Sequence, residues 1–253
     1  MAGQAVREIL YGRQPVRECL RARRRHIHQL ILAEGVSEKG VVAEILDLAA
    51  GLNIPLKRAP RSQLDRVAKV NQGVALEVAS YPYVQVEDIL ARAHRRAEQP
   101  FILATDHLQD PHNLGALLRT AEVVGSHGAV IPIRRAVEVT PAVVSASAGA
   151  SEHLWVAQVA NLVRALETLK ARGLWVAGLE RTPDAQPYRQ VDLDLPLVLV
   201  VGAEDRGLSR LVRETCDFLI RLPMRGRIES LNASVAGSIV LYAAMDARGF
   251  WSE

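Results

Sequence analysis

Apolar runs of strand length alternate along the chain with segments whose apolar positions recur at helical spacing. In the first third, this pattern predicts helices over residues 13–23, 38–50 and 62–69, and strands over residues 28–33, 54–57 and 74–78. Gly51 ends the second helix, and Asn71-Gln72-Gly73 introduces the last strand. Such an alternation is typical of a small α/β domain.

The pattern breaks at Tyr81-Pro82-Tyr83, and a helix predicted over residues 86–98 follows, until Pro100 stops it. Beyond that proline, strands predicted over residues 101–105, 129–133, 154–156, 174–179, 197–202 and 218–222 alternate with helices over residues 114–124, 162–172, 209–214 and 232–247. This order predicts a mostly parallel, doubly wound sheet with helices on both faces. We therefore expect an N-terminal α/β domain (residues 1–79), a linker (80–98) and a second α/β domain (99–253).

The composition indicates a globular protein without a membrane span. Hydrophobic residues make up 49% of the 253 residues, which is enough to fill a sizeable core. The longest apolar runs, residues 195–201 and 239–245, have seven residues each, whereas about 20 are needed to cross a bilayer. Arg7 and Glu8 interrupt the N-terminal stretch where a secretory signal would be apolar, so we expect a cytoplasmic location.

Several classes of site are disfavoured by what the chain lacks. Cys19 and Cys216 are the only cysteines, and neither has the spacing of a zinc site, so we expect two buried free thiols and no metal. No glycine-rich dinucleotide fingerprint or phosphate-binding loop follows a predicted strand. A nicotinamide-dependent dehydrogenase is therefore a poor explanation of the α/β pattern.

Positive charge is concentrated in the first third of the chain. The formal net charge is only +3 overall, but residues 1–80 contain 13 lysines and arginines against 8 acidic residues. The predicted first helix and the run that follows it carry six of these arginines: Arg13, Arg17, Arg21, Arg23, Arg24 and Arg25. We predict that they contact the phosphates of a folded nucleic acid, the alternative being a solvated basic face.

The first candidate motif is residues 106–120, DHLQDPHNLGALLRT, which leaves a strand and enters a helix. Asn113 is predicted at or next to the N-cap of that helix. Arg119 shares a helical face with Gly115, which has no side chain to compete for the space that the arginine covers. This arrangement leaves room for a ligand, although a capped helix with a solvated arginine remains an alternative.

Two further segments place glycines and small polar residues at the ends of predicted strands. A buried strand ends in residues 202–207, GAEDRG, where glycines allow a ligand to approach the main chain. Residues 222–236, LPMRGRIESLNASVA, lead from another strand into a helix that begins with small residues. Its first turn offers unpaired backbone amides, and its small residues allow close approach of other backbone. The alternative for residues 202–207 is a simple strand-to-helix turn. The alternative for residues 222–236 is helix capping combined with tight packing.

Together, these three segments resemble the SpoU family of RNA ribose 2′-O-methyltransferases, which belongs to the SPOUT class. The matching residues are Asn113, Gly115 and Arg119 in the first segment, Gly202, Glu204 and Gly207 in the second, and Pro223, Met224, Glu229, Ser230, Leu231, Asn232, Ser234 and Val235 in the third. The N-terminal domain resembles the ribosomal-protein-like RNA-binding domain of the family's rRNA-guanosine branch. Departures are Asp205-Arg206, where smaller residues are often found, and Ala233, where valine is common.

The resemblance implies a trefoil-knotted C-terminal domain, a homodimer formed through it, and S-adenosylmethionine as cofactor. By position, the cofactor would be bound mainly by backbone groups of Gly202, Leu222 and Leu231, with Met224, Asn232 and Ala233 as neighbours. The substrate implied is structured RNA, most closely a guanosine of 23S rRNA. One alternative is a tRNA or antibiotic-resistance rRNA methyltransferase of the same family. The other is a non-catalytic RNA-binding or ribosome-assembly protein.

The resemblance also implies the roles of the polar residues. Arg119 is at the position of the family's catalytic residue, and because a guanidinium keeps its proton, we expect it to bind the target phosphate and orient the 2′-hydroxyl. Asn113 and Glu204 would position Arg119 and the nucleotide. Ser230 and Asn232 would shape the cleft and contact the substrate. No metal is needed, because the methyl group of a sulfonium is already electrophilic.

Overall fold

A computed structural model of the chain describes residues 7–204, 206–228 and 230–249. The helices are α1 (Arg13–Ala22), α2 (Val41–Gly51), α3 (Arg61–Asp65), α4 (Val86–Arg95), α5 (Pro111–Val123), α6 (Pro141–Ala146), α7 (Leu162–Ala171), α8 (Arg210–Thr215) and α9 (Ala233–Ala247). The strands are β1 (Arg7–Tyr11), β2 (Ile27–Ala33), β3 (Leu56–Ala59), β4 (Val74–Ala79), β5 (Phe101–Asp106), β6 (Gly128–Pro132), β7 (Val156–Val159), β8 (Trp175–Leu179), β9 (Gln186–Pro187), β10 (Leu197–Gly202) and β11 (Phe218–Arg221). Single 3-10 turns cover Ala150–Glu152 and Tyr188–Gln190.

The described residues form two compact units. The first takes in the residues up to Pro82 together with Val139–His153, and the second takes in Tyr83–Glu138 and the residues from Leu154 onward. The helix predicted inside the linker is α4, and its Val86 and Ile89 are buried in the core of the second unit. The sequence pattern did not predict that Val139–His153 belongs to the first unit.

The first unit contains a four-stranded mixed sheet in the order β1-β4-β2-β3. β4 is antiparallel to both of its neighbours, and β3 is parallel to β2. β1 is absent from the sequence prediction because its five residues, REILY, include two charged ones and only one that is fully buried. α3 ends earlier than predicted, and the following turn is closed by Asn71, whose amide donates to Asp65 Oδ1 (2.7 Å) and to the carbonyl of Ala68 (2.8 Å).

A buried charge cluster fixes the inserted segment within the first unit. The guanidinium of Arg25 donates to both carboxylate oxygens of Glu152 (3.0 and 2.8 Å) and to Glu8 (2.6 Å). Burial by itself lowers the pKa of Arg25, but the two carboxylates outweigh it and raise that pKa above its usual value. Arg24 donates to the carbonyls of Glu152 (3.2 Å) and Pro82 (3.1 Å). Both arginines therefore stabilise the fold of this unit.

The second unit is built on a seven-stranded sheet in the order β7-β6-β5-β10-β8-β11-β9, and every neighbouring pair is parallel. Side chains of α4, α7 and α8 pack on one face, around Val198 and Val200 of β10. On the other face, Gly237 of α9 lies close to Val201 and to Leu117 of α5. The predicted α/β class, with a mostly parallel sheet and helices on both faces, is confirmed.

Several element boundaries differ from the sequence prediction for local reasons. α5 begins at Pro111, three residues early, because Asp110 is its N-cap and accepts from the backbone amide of His112 (2.9 Å). β7 continues to Val159 despite a polar Gln158, which is tolerated because β7 is at the edge of the sheet. α6 was not predicted, although Thr140 and Pro141 at its start form a recognisable helix signal.

The free cysteines are only partly as expected. Cys19 is buried and Cys216 is half-buried. Burial raises the pKa of both thiols, that of Cys216 to about 12. Neither is therefore a reactive thiolate near neutral pH. Among the described residues, no helix is both long and apolar enough to cross a membrane.

Candidate active site

The central feature of the second unit is a break in strand order between β5 and β10. The chain proceeds from β5 outward to β6 and β7, and only later returns to place β10 on the opposite side of β5. At such a point, the loops that follow two neighbouring strands diverge and leave a crevice, which is where open α/β sheets bind ligands. Here those loops are joined by Asp106, whose carboxylate accepts from the amide of Ser209 (2.6 Å).

Three side chains from distant segments form a hydrogen-bonded network in this crevice. The amide nitrogen of Asn113 donates to Glu204 Oε1 (2.9 Å), and that of Asn232 donates to Asn113 Oδ1 (2.8 Å) and to Glu204. Glu204 also accepts from the backbone amide of Ala233 (3.2 Å), at the positive end of α9. The network thus joins the three motifs that the sequence singled out.

The position of Asn113 corrects the expectation that it is at or next to the N-cap of α5. Asp110 occupies the cap, so Asn113 lies in the first helical turn and is buried. Its side-chain amide is therefore not used for capping and can bind Glu204. Asn232, in contrast, is a true N-cap: its Oδ1 accepts from the backbone amides of Ser234 (2.9 Å) and Val235 (3.2 Å).

A cavity of about 310 Å³ opens at the carboxyl ends of β8, β10 and β11. Five of the predicted cofactor-binding residues and two of the predicted catalytic residues line it: Gly202, Leu222, Met224, Leu231 and Ala233, together with Glu204 and Ser230. Asn232, also predicted to bind the cofactor, is not among the lining residues and instead caps α9 beside the cavity. Glu229 and Asp205 are outside the described residues.

Glycine is required where this cavity meets the sheet. A side chain on Gly202 would collide with the backbone carbonyl of Gly207 and approach the amide nitrogen of Leu208 to 2.7 Å. Gly207 itself has φ +63°, and its amide donates to the carbonyl of Ala203 (2.9 Å), which closes a tight loop. Main-chain atoms therefore form this wall of the cavity.

The structure does not bring Arg119 into the cavity. Its side chain is exposed on α5, one turn before the exposed Val123, and it forms no hydrogen bond or ion pair with the rest of the described chain. Nearby, Thr120 Oγ1 and Ser238 Oγ lie 2.8 Å apart and join α5 to α9. Arg119 thus lies on the outer side of this helix pair.

The six arginines predicted to bind RNA differ in whether their side chains already bind other groups of the protein. Arg24 and Arg25 are engaged in the charge cluster described above, so we assign them a structural role. Arg17 and Arg21 form ion pairs with Glu18 and Glu44 on neighbouring parts of the first unit. The side chain of Arg13 donates to the carbonyl of Gln72 (3.4 Å). The side chain of Arg23 is exposed and has no hydrogen bond or ion pair within the described residues.

A second set of basic residues, which the sequence analysis did not single out, is more accessible. Lys57 on β3, Arg61 on α3, and Arg66 and Lys69 after it are all exposed and have no ion pair with another described residue. Val67, between Arg66 and Lys69, and Val70, directly after Lys69, are also exposed. These residues contribute to the excess of positive charge in residues 1–80, but they are spread over 13 positions and form no dense run like Arg23-Arg24-Arg25.

No cluster of three or more histidine, cysteine, aspartate or glutamate side chains is placed to hold a metal ion in the part of the chain that the structure describes. The hydrogen-bonded network at the crevice is instead built from two side-chain amides and one carboxylate. Their arrangement is suited to positioning an organic ligand by hydrogen bonds.

Comparison with known proteins agrees with the motifs. The family model described as the SpoU rRNA Methylase family matches residues 100–242, and the model for RNA 2′-O ribose methyltransferase substrate binding matches residues 9–84. YacO of Bacillus subtilis, whose name assigns it to the TrmH family of tRNA/rRNA methyltransferases, is 45% identical over 93% of this chain and 94% of its own.

Solved structures share the fold. The SpoU methyltransferase AviRb from Streptomyces viridochromogenes, in complex with the cofactor AdoMet, superposes with a TM-score of 0.80 at 22% identity, over 96% of this chain and 91% of its own. The TrmH/SpoU tRNA modifying enzyme of A. aeolicus is 28% identical, with a TM-score of 0.54, over 65% of this chain and 84% of its own. From the family models and the close relative, the chain belongs to the SpoU rRNA methylase family of RNA methyltransferases.

Proposed function

We propose that the protein transfers the methyl group of S-adenosylmethionine to a ribose 2′-hydroxyl of RNA. We propose further that the target nucleotide is a guanosine of 23S rRNA. The observation that carries the proposal is the Asn113–Glu204–Asn232 network, which joins all three family motifs beside one cavity. The match of the substrate-binding model to residues 9–84 supports RNA as the substrate.

The cavity fits the proposed cofactor in size and chemistry. Its volume of about 310 Å³ is within the usual range of ligand pockets. Leu222, Met224 and Leu231 supply apolar walls, while Ser230, Glu180 and the main chain of residues 202–204 supply hydrogen-bonding groups. When bound, the cofactor supplies an electrophilic methyl group on its sulfonium, and the protein supplies the alignment. The complex of AviRb with AdoMet supports the same choice.

Each polar residue has a distinct role in this proposal. Arg119 binds the phosphate of the target nucleotide and orients its 2′-hydroxyl, because a guanidinium is a fixed donor rather than a base. Ser230, which lines the cavity, contacts the substrate. Asn113, Glu204 and Asn232 are positioning residues, since their side chains bind one another and the start of α9.

Replacing Gly202 with alanine tests the cofactor cavity. We expect the Kd for S-adenosylmethionine to rise at least tenfold, because the new methyl group displaces the Gly207 backbone from the cavity wall. Gly226→Ala is the matched control, since a Cβ there has only one neighbour, 4.0 Å away. Titration calorimetry with S-adenosylmethionine measures both. An equal Kd for the two variants contradicts the assignment of this cavity.

The substrate is tested by transfer of labelled methyl groups from S-adenosylmethionine to unmodified 23S rRNA and to unmodified tRNA transcripts. We expect the label to be found in 23S rRNA, on the ribose of a guanosine. Label confined to tRNA favours the tRNA-modifying alternative. Binding of RNA with no binding of S-adenosylmethionine favours a non-catalytic RNA-binding protein.

We also propose that two copies of the chain associate through the second unit. Val235, Ile239 and Tyr242 are exposed on α9 at spacings of four and three residues, so they form one apolar stripe. Val123 on neighbouring α5 is exposed as well. Apolar stripes of this kind are typical of a protein interface. We further propose that the second unit has the trefoil knot that the family resemblance implies. We also propose a cytoplasmic location.

Ile239→Lys tests the dimer. It is expected to convert the protein into a monomer at micromolar concentration, because a lysine ammonium at the centre of the stripe loses its hydration without gaining a partner. Sedimentation velocity measures the change. Val70→Lys, at an exposed apolar position of the first unit, is the control and is expected to remain dimeric. Equal masses for wild type and Ile239→Lys would show that the stripe is not the interface.

The RNA-binding surface of the first unit is proposed to include Arg13 and Arg23 and to extend over Lys57, Arg61, Arg66 and Lys69. We expect Arg61→Ala with Arg66→Ala to weaken RNA binding and to reduce the slope of log K against log salt concentration by about 1 to 2. Arg17→Ala with Arg21→Ala removes the same charge from residues that are already ion-paired, and it should change the slope less. Titration of fluorescent 23S rRNA fragments at several salt concentrations measures both. If the Arg17→Ala with Arg21→Ala variant changes the slope more than the Arg61→Ala with Arg66→Ala variant, α1 is instead the main RNA contact.

A further inference from the structure

A second cavity, of about 450 Å³, lies beside the first one. The two cavities share one wall, formed by Ala203, Glu204, Arg206 and Gly207. The far side of the second cavity is formed by residues 107–110, at the start of the first motif, and by Arg135, which lies outside all three motifs. A ligand in this cavity and a ligand in the first would therefore both contact the loop that follows β10.

One cationic side chain at this cavity, that of Arg135, is available to an anionic, hydrogen-bonding ligand. Its acidic side chains are already engaged: Asp110 caps α5, and Glu204 accepts from Asn113, Asn232 and the amide of Ala233. The guanidinium of Arg135 is exposed at the cavity and has no hydrogen bond or ion pair within the described chain. A guanidinium with no partner in the protein can bind a phosphate through charge-assisted hydrogen bonds.

Two lining residues are held in a backbone conformation that their side chains disfavour. His107 has φ 56° and Arg135 has φ 57°, both in the left-handed region. Such residues cost about 1 to 3 kcal/mol each and occur mainly where the surrounding structure places a side chain for function. Both belong to loops that follow strands of the sheet, β5 and β6 respectively.

Specific contacts hold these two loops together. The His107 Nδ1 atom lies 2.6 Å from Oδ1 of the buried Asp106, whose other oxygen accepts from Ser209. The amide of Val137 donates to the carbonyl of Leu108 (2.9 Å), which fastens the loop after β6 to the loop after β5. The position of Arg135 beside the cavity is thus determined by the fold.

We propose that this cavity receives the target nucleotide of the RNA, with Arg135 binding a phosphate of that nucleotide and His107 contacting its base or ribose. The inference rests on the proposed function, because it assigns the second substrate of the same reaction. It extends that function by assigning RNA recognition to Arg135, which lies outside the three motifs, and to His107, which is in the first motif but not among its residues that match the family. The ribose would then contact Ala203 and Glu204, which line both cavities, and there its 2′-hydroxyl can approach the methyl group of the cofactor directly.

Arg135→Asn tests the assignment, because asparagine tolerates the left-handed conformation while the guanidinium is lost. We expect the Kd for unmodified 23S rRNA, and the KM for the same RNA in methyl transfer, to rise about tenfold or more. The Kd for S-adenosylmethionine should stay within about twofold. Arg134→Asn is the matched control, since Arg134 is the exposed neighbouring arginine and does not line the cavity. His107→Asn is expected to raise KM with the same unchanged cofactor affinity.

The possible outcomes separate this inference from the proposed function. If wild type methylates no RNA, the proposed function fails, while the RNA-binding titrations still compare Arg135→Asn with Arg134→Asn. If wild type methylates RNA but the two asparagine variants have equal Kd and KM, the nucleotide cavity is refuted and the proposed function stands. A rise in the Kd for S-adenosylmethionine that equals the rise for RNA also refutes it, because Arg135 would then act on the cofactor cavity.

Discussion

Replacing Arg119 with alanine should reduce methyl transfer to RNA by at least a hundredfold while the Kd for S-adenosylmethionine stays within about twofold. A preorganised donor aimed at the oxygen that gains negative charge in the transition state contributes about 10²- to 10³-fold to the rate. The cofactor affinity should be unchanged because Arg119 does not line the cofactor cavity. Single-turnover transfer of labelled methyl groups and titration calorimetry measure the two quantities.

The control for Arg119 is Arg164→Ala, which removes an exposed arginine from α7 of the same unit. Full turnover of Arg119→Ala would refute the catalytic role. Because Arg119 lies on the outer side of α5, beside the stripe proposed to join two copies, its action is expected to depend on the dimer. The monomeric Ile239→Lys variant should therefore lose methyl transfer as well.

Replacing Arg25 with alanine should lower the free energy of unfolding of the first unit by about 3 to 5 kcal/mol. The Arg25 side chain is 0% exposed and is paired with Glu152, which is 1% exposed, and with Glu8. Removing one partner of a buried ion pair leaves an uncompensated charge, which has a cost of this size. Urea denaturation followed by circular dichroism measures the change.

Arg23→Ala is the control for Arg25, because it removes an exposed arginine two residues away, and its effect is expected within about 0.5 kcal/mol. The double variant Arg25→Met with Glu152→Gln should be less destabilised than Arg25→Ala, since it leaves only Glu8, which is partly exposed, without its cation. Equal stability of Arg25→Ala and Arg23→Ala would contradict the structural role of the cluster.

The elements that were predicted well are those whose burial follows from local periodicity. β10 was predicted at residues 197–202 and is found there, because a strand buried on both faces has an unbroken apolar run. α1 and α9 were predicted to within one residue at each end. The sequence pattern missed β1, α6 and β9, because these elements are too short or too polar to show a hydrophobic periodicity.

The arginines of the first unit illustrate what a charge pattern leaves open. Charge density along the chain predicted six equivalent RNA contacts, but Arg25 is paired with a carboxylate 127 residues away. Whether an arginine is exposed or buried depends on the partner that the fold brings to it. Local sequence contains no information about such a partner.

By itself, the sequence determined the α/β class, the positions of most helices and strands, and the three motifs, because these depend on side-chain periodicity and on residue types at strand ends. Only the tertiary structure decided that Asn113, Glu204 and Asn232 bind one another across separations of 91 and 119 residues. It also separated the buried arginines from the exposed ones and joined His107 and Arg135 at one cavity. The physical reason is that hydrogen bonds and ion pairs require atoms within about 3 to 4 Å of each other, and the packing of the whole chain determines those distances.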